Sequence, residues 1–317
     1  MTESNKPKLL VLVGPTAVGK TKMSIELAKY FNAEIISGDS MQVYRHMDIG
    51  TAKIKPEEMD GIPHHLIDIH EPDYPYSVAE FQESCRNLIK EIHARGKLPF
   101  IVGGTGLYVE SVCYDFQFSE VGSDEAFRKE QFDYADAHGP EMLHEKLQQI
   151  DPASAQRLHP NDVRRVVRAL EIYHMTGMKQ SDQLAAQKKE SPYELFIVGL
   201  TMDRQMLYNR IEDRIDEMME EGLVEEVASL LDRGVVPGCI SMQGLGYKEI
   251  ASYLQGGVPL ETAVDELKRD TRRFAKRQLS WFRHMKDIHW VDMTDTANFS
   301  TSFAMIRDII ADKLNLD

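Results

Sequence analysis

KLLVLVGPTAVGKT, Lys8–Thr21, is the stretch that decides the fold. It opens with a short apolar run closed by Gly14, the pattern of a strand buried on both faces. From Gly14 to Thr21 the chain fits G-x-x-x-x-G-K-[ST], directly after the strand and at the start of a helical pattern. Glycines let successive backbone N–H groups turn inward around a phosphate chain. The helix N-terminus adds its dipole, Lys20 a full charge, and the Thr21 hydroxyl a ligand for Mg²⁺. Gly14, Pro15, Thr16, Ala17, Val18, Gly19, Lys20 and Thr21 are therefore expected to hold a polyphosphate. A glycine-rich turn that binds nothing is the plainer alternative, but strand, loop, lysine, hydroxyl and helix all occur together. This P-loop leaves open whether the ligand is a nucleotide or another diphosphate.

Working outward, strand-like runs recur at Ala33–Ile36, His65–Ile69, Leu98–Gly103, Leu195–Leu200 and His289–Asp292. Helical patterns lie between several of them. One opens at Ser77, with Glu80 completing a capping box, and closes at Gly96. Such alternation predicts an α/β core: a doubly wound, mostly parallel sheet with helices on both faces, like that of P-loop NTPases. The alternation stops between Phe118 and Glu190, where helical patterns are separated by Gly139-Pro140, Asp151-Pro152 and His159-Pro160. Val163, Val166, Val167, Leu170 and Tyr173 make an apolar stripe there. The expected division is a core in two parts, 1–117 and 191–317, interrupted by an all-helical insertion over 118–190.

The 317 residues, at roughly 150 per domain, fit that division. Apolar residues make up 42% and charged residues 28%, which excludes disordered and fibrous classes. No apolar run is long enough to span a membrane, and Met1–Lys8 is polar and leads straight into a strand, unlike a signal peptide. Cys85, Cys113 and Cys239 lie far apart and read as free thiols, so a cytoplasmic protein is expected. The net charge of -14 argues, taken whole, against a nucleic-acid partner. Its distribution argues otherwise. Asp203–Asp232 carries ten acidic and three basic residues, whereas Val264–Lys286 carries eight basic and three acidic. The usual reading of such runs is a solvated helix face.

Other candidates sit where strands end. Asp39 follows the second strand, on the rim where open α/β sheets bind ligands. It can hold Mg²⁺ through water, act as a general base, or merely cap a turn. Gly103-Gly104-Thr105-Gly106 follows the fourth strand; its glycines permit close approach and Thr105 offers a hydroxyl. Arg210 and Arg214 are helical neighbours that either reach a diphosphate or pair with nearby carboxylates, the latter being the simpler expectation. Asn161-Asp162 can cap a helix displaying Arg164, Arg165 and Arg168. Lys268, Arg272 and Lys276 form one basic row and Arg269, Arg273 and Arg277 a second, suited to a phosphate backbone.

Together GPTAVGKT (14–21), SGDSMQVYRHMDIGTAK (37–53), GGTGLY (103–108), RLHPNDVRRVVRALEI (157–172), GLGYKE (244–249) and AKRQLSWFR (275–283) resemble the tRNA dimethylallyltransferase family. They occur in family order across most of the chain. The departures, a proline displaced to Pro56 and the dipeptide before GYKE, touch no residue with a chemical role. The resemblance implies transfer of a dimethylallyl group from its diphosphate to N6 of the adenosine 3′ of the anticodon, position 37. It implies Asp39 and Thr105 as catalytic residues, and the P-loop with Arg214 around the diphosphate. Mg²⁺ would sit on Thr21. Asp39, Ser40, Met41, Gln42, Arg128, Arg164, Arg165, Val166, Val167 and Arg168 would meet the tRNA anticodon loop. No zinc and no membrane are expected, and a monomer is. The rival readings are a P-loop small-molecule kinase, a prenyltransferase acting on free adenine nucleotides, and a nucleotide-binding regulator without chemistry.

Overall fold

A computed structural model of the chain describes residues 6–118, 122–187, 190–295 and 298–316. The first residues, on which the reading of the N-terminus rests, and the edges of the expected insertion at 119–121 and 188–189 lie outside the described residues. The chain divides into two units, Met1–Tyr114 with Ser191–Asp317, and Asp115–Glu190. The second begins three residues ahead of the boundary read from sequence.

The first unit runs β1 (Lys8–Val13), α1 (Lys20–Tyr30), β2 (Ala33–Ser37), β3 (His64–His65), α2 (Val78–Ala94), β4 (Leu98–Gly103) and α3 (Gly106–Cys113). It resumes, after five helices of the second unit, with its two remaining strands. The helices of that second unit are α4 (Glu125–His138), α5 (Pro140–Ile150), α6 (Pro152–Arg157), α7 (Val163–Thr176) and α8 (Gln180–Ala185). The first unit then continues through β5 (Glu194–Thr201), α9 (Arg204–Glu221), α10 (Leu223–Asp232), α11 (Tyr247–Leu254), α12 (Leu260–His284), β6 (Ile288–Asp292) and α13 (Phe299–Leu314).

The six strands form one all-parallel sheet in the order β3-β2-β4-β1-β5-β6. β1 lies between β4 and β5, with Leu10 level with Phe100 on one side and Phe196 on the other. Leu9 to Val13 are wholly buried, as a strand covered on both faces requires. The turns after β1, β2 and β4 all leave the carboxyl edge. There β2 and β4 converge so closely that a Cβ on Gly103 would overlap the Gly38 carbonyl. The amide of Gly38 donates to Val102 (2.8 Å) and that of Thr105 to Gly38 (3.3 Å), so the two turns are tied as they leave the sheet.

The expected β3 was too long. Leu66 and Asp68 have positive φ, and the amides of Ile69 and His70 turn to the Val43 carbonyl in the loop after β2. Long-range pairing thus overrides the strand propensity of the run. The Ser77 capping box forms as expected, and Gly96 closes α2 with φ of 71°.

In the second unit Leu143, Leu147, Val166, Val167 and Leu170 form a buried cluster. Tyr173, read as part of the stripe, is exposed at its end. Asp162 precedes α7 without capping it by its side chain, which points to Arg165 instead (3.5 Å). The unit's polar anchor is Glu171, fully buried on α7. It pairs with Arg128 of α4 (2.8 Å) and Arg168 (2.6 Å), and accepts from the Asp124 amide (2.8 Å). Burial alone pushes its pKa up, but these partners outweigh burial and hold the carboxyl below 4.5. A depressed carboxyl stabilises the fold above its unfolded pKa, and that contribution is lost on acidification. Glu171→Ala should therefore destabilise the unit by about 3 kcal/mol, the lower end for breaking a buried pair. The check is hydrogen exchange of α4 and α7 amides, where unchanged protection would contradict this anchoring.

Candidate functional site

The P-loop starts from the centre of the sheet. Ala17 and Gly19 take left-handed conformations (φ 63° and 101°), which curl the loop before α1 begins. Thr16, Ala17, Gly19, Lys20 and Thr21 border a cavity of about 930 Å³, while Val18 turns its side chain into the core. Gly14 and Pro15 contribute carbonyls: the Lys20 ammonium donates to both, at 2.9 and 2.8 Å. Burial, and secondarily Arg214, lower the Lys20 pKa to about 8, against an opposing pull from Asp39.

Asp39 stands two residues beyond β2, on the wall of the same cavity. One carboxylate oxygen, Oδ1, accepts from the Met41 amide (2.8 Å) and the Gln42 amide (3.4 Å). Its pKa is raised by burial, against the Met41 N–H and the Lys20 charge. A carboxylate whose charge is disfavoured has more affinity for a proton than a solvated one. Thr105 lies alongside, at the start of α3, where its hydroxyl accepts from the Ser40 amide (3.1 Å). Met41 and Gln42 also line the cavity, and Gln42 is fixed by Ser37 (3.0 Å) and the Thr51 carbonyl (3.3 Å).

Arg214, on α9, also lines the cavity. Its expected pairing with the carboxylates of its own helix is not found: no ion pair to it occurs within 4.0 Å among the described residues. Burial lowers its pKa, against a weaker pull from Glu217 of the same helix, so its guanidinium is a largely desolvated charge. The expected basic rows fare differently. Lys268 pairs with Asp216 (2.6 Å) and Arg272 with Glu212 (2.5 Å), so this row packs its charge against the acidic helix α9. Arg269 and Arg273 share Asp270. Arg277, by contrast, borders the cavity.

Within the insertion, Arg164 and Arg165 are exposed, whereas Arg128 and Arg168 are bound to Glu171. Val166 and Val167 are buried in the unit's core. The arginine face and the valine face of α7 alternate in sequence, so an unbroken run 164–168 cannot present all its side chains outward. The side chains of the two valines therefore belong to the core.

Three side chains that sequence reading passed over hold the site together. Gln278 of α12, 6% exposed, accepts from the Thr16 amide (2.9 Å) and donates to the Gly104 carbonyl (2.9 Å). Glu226 of α10 accepts from the amides of Asp48, Ile49 and Gly50 (2.8, 2.8 and 3.1 Å) and from the Tyr247 hydroxyl (2.6 Å). Lys53, nearly buried, reaches the Tyr44 carbonyl, Asp48 and Asp68. The available signal was a glutamine at a helical spacing shared with Leu267, Ala275 and Phe282, on the buried face of α12. No three His, Cys, Asp or Glu side chains gather into a metal site among the described residues. The Thr21 hydroxyl and the Asp39 carboxylate both border the cavity.

Comparison with known proteins supplies the context. The family model described as IPP transferase matches residues 42–285, a stretch that starts beyond the P-loop and Asp39. A tRNA dimethylallyltransferase of Geobacillus thermodenitrificans is 54% identical over 310 residues, 98% of each chain. One of Bacillus mycoides is 57% identical over 295 residues, 93% of each. Among solved structures, the tRNA isopentenylpyrophosphate transferase of Bacillus halodurans matches with 53% identity and a TM-score of 0.75, over 98% of this chain and 97% of that one. A eukaryotic dimethylallyltransferase acting on tRNA matches with 33% identity and a TM-score of 0.83, over 97% of this chain and 79% of that one.

The lowered pKa of Lys20 has a measurable consequence. Its ammonium should titrate near pH 8 in the free protein. An anion entering the loop favours the charged form and moves the midpoint upward. Carbon-13 NMR of labelled lysines, with Lys20→Arg for assignment, reads both midpoints; an ordinary value near 10.5 in the free protein would refute the buried environment.

Proposed function

The chain belongs to the IPP transferase family, and from that premise we propose that it transfers a dimethylallyl group from dimethylallyl diphosphate to N6 of an adenosine in tRNA. The adenosine is the one 3′ of the anticodon, position 37, and diphosphate is released. The observation that carries the reading is one cavity bordered by a phosphate cradle, a half-buried carboxylate of raised pKa and an arginine without an ion pair among the described residues.

The N6 lone pair forms a C–N bond to the first carbon of the prenyl group. The bond from that carbon to oxygen breaks, and its electron pair departs on the diphosphate. Lys20, the loop amides and Arg214 stabilise that developing charge, the two cations already desolvated before the reaction. An exocyclic adenine amine is a weak nucleophile because its lone pair is delocalised into the ring. Asp39 removes its proton as the bond forms, and the raised pKa suits the task. Thr105, hydrogen-bonded to the residue after Asp39, orients the acceptor side. The hydroxyl of Thr21, with oxygens of the donor diphosphate, suits Mg²⁺, which would further neutralise the leaving group.

The base must leave its stack to reach such a cavity. Ser40, Met41 and Gln42 line the wall beside Asp39 and are the side chains to receive it. Arg164 and Arg165, exposed and outside the Glu171 anchor, are the insertion's candidates for RNA phosphates. Arg277 is the corresponding candidate on α12.

The direct experiment incubates the protein with labelled dimethylallyl diphosphate, Mg²⁺ and unmodified tRNA. Label should enter the RNA and disappear when the adenosine is replaced. Absence of label, with ATP-dependent phosphorylation of a metabolite, would favour a kinase. Asp39→Ala should leave donor binding nearly intact and slow single turnover by at least ~10²-fold. Because the base must be ionised, the wild-type rate should rise with pH through an acid limb lying above 3.8. A limb at or below that value would remove Asp39 from the role. Arg165→Ala should weaken tRNA binding and flatten its salt dependence by ~0.7 in log–log slope, one phosphate's worth. An unchanged slope returns Arg165 to the ordinary surface.

A further inference from the structure

Gln278 is a polar side chain on the buried face of a helix, and its two amide atoms serve two different loops. Oε1 accepts from the Thr16 amide and Nε2 donates to the Gly104 carbonyl, both at 2.9 Å. Gly104 has to lack a Cβ for this, because one would overlap Nε2. Gly104 precedes Thr105, whose hydroxyl accepts from the Ser40 amide at 3.1 Å, and Ser40 follows Asp39. A short path of bonded neighbours therefore leads from the phosphate loop through Gln278 and Thr105 to the carboxylate. The helix bearing Gln278 is itself fixed on this side, since Trp281 donates to Glu110 of α3 (2.9 Å).

We propose that Gln278 is a positioning residue for the transfer step, an inference that rests on the prenyl-transfer reading. It borders the same cavity, but both of its amide atoms are engaged by main chain. It holds the loop that carries the leaving diphosphate at a set separation from the loop that carries the base and Thr105. Few neutral side chains of that length can accept from one loop and donate to the other at once. Loss of the bridge leaves both loops intact but free to shift against each other. The chemical step feels such a shift far more than the binding of either substrate does.

Single-turnover transfer at saturating donor and tRNA, in wild type, Gln278→Ala and Gln278→Glu, tests this. Gln278→Ala should lower the rate by about 10- to 10²-fold, as expected for misplacement near 1 Å. Dissociation constants for donor and tRNA should stay within about 3-fold, placing the loss in the step and not in binding. Gln278→Glu, nearly isosteric, adds a readout that packing alone would not move. Its ionised form accepts from Thr16 but cannot donate to Gly104, whereas its protonated form does both. The ratio of its rate to the wild-type rate at the same pH should therefore rise as pH falls through the titration of the introduced carboxyl. A wild-type rate in Gln278→Ala, a loss confined to the dissociation constants, or a ratio flat with pH would each overturn the proposal. If Gln278→Ala does not fold, the pH ratio of Gln278→Glu decides alone. A wild-type protein that transfers no prenyl group to tRNA would instead overturn the underlying reading, and this inference with it.

Discussion

Lys20 and Asp39 face one cavity whose surroundings disfavour both of their charges. Burial lowers the pKa of the lysine and raises that of the aspartate, and each charge partly offsets the penalty on the other. Arg214 adds a third desolvated group, drawn only weakly by Glu217. An anion entering the cavity offsets the cost of the two cations, while its like charge further raises the proton affinity of Asp39. The rest of the first unit serves to keep these groups in place despite that cost. β1 supplies the loop, β2 the aspartate, and the converging ends of β2 and β4 bring Thr105 alongside.

The parts of this arrangement that follow from backbone geometry were legible in the sequence. A P-loop can be read because its glycines and its lysine have fixed offsets from a strand. Asp39 and Thr105 could be assigned to the ligand rim because parallel strands place all their carboxyl ends together. What escaped was whatever depends on a partner distant in the chain. Glu226 and Gln278 find their partners across gaps that no local pattern encodes, and Glu226 reads from sequence as one more acid in an acidic helix. The same limit explains the β3 error, where the loop after β2 captured amides that the apolar run had suggested for the sheet.

Charge was the most misleading single quantity. The total of -14 gives no hint that the acidic α9 and the basic α12 neutralise each other through Asp216–Lys268 and Glu212–Arg272. The basic row that looked best suited to nucleic acid is thus partly engaged within the protein. Arg277, Arg164 and Arg165 are different because, among the described residues, no carboxylate holds them as Glu171 holds Arg128 and Arg168, apart from the loose 3.5 Å approach of Asp162 to Arg165. Such exposed pairs contribute little to stability, typically ~0.2–1 kcal/mol each. Their importance lies in which cations they leave available.

Glu226 grips the loop at residues 48–50 through main-chain amides, and a carboxylate that reads amides is indifferent to the side chains they carry. Ile49 can therefore drift over evolutionary time without loosening the grip. Gly50 is bounded differently, since the Tyr247 ring lies where its Cβ would go, 2.6 Å away. Mutational tolerance along this segment should thus be uneven from one residue to the next. The two helices that carry Glu226 and Tyr247 inherit the constraint that the loop itself escapes.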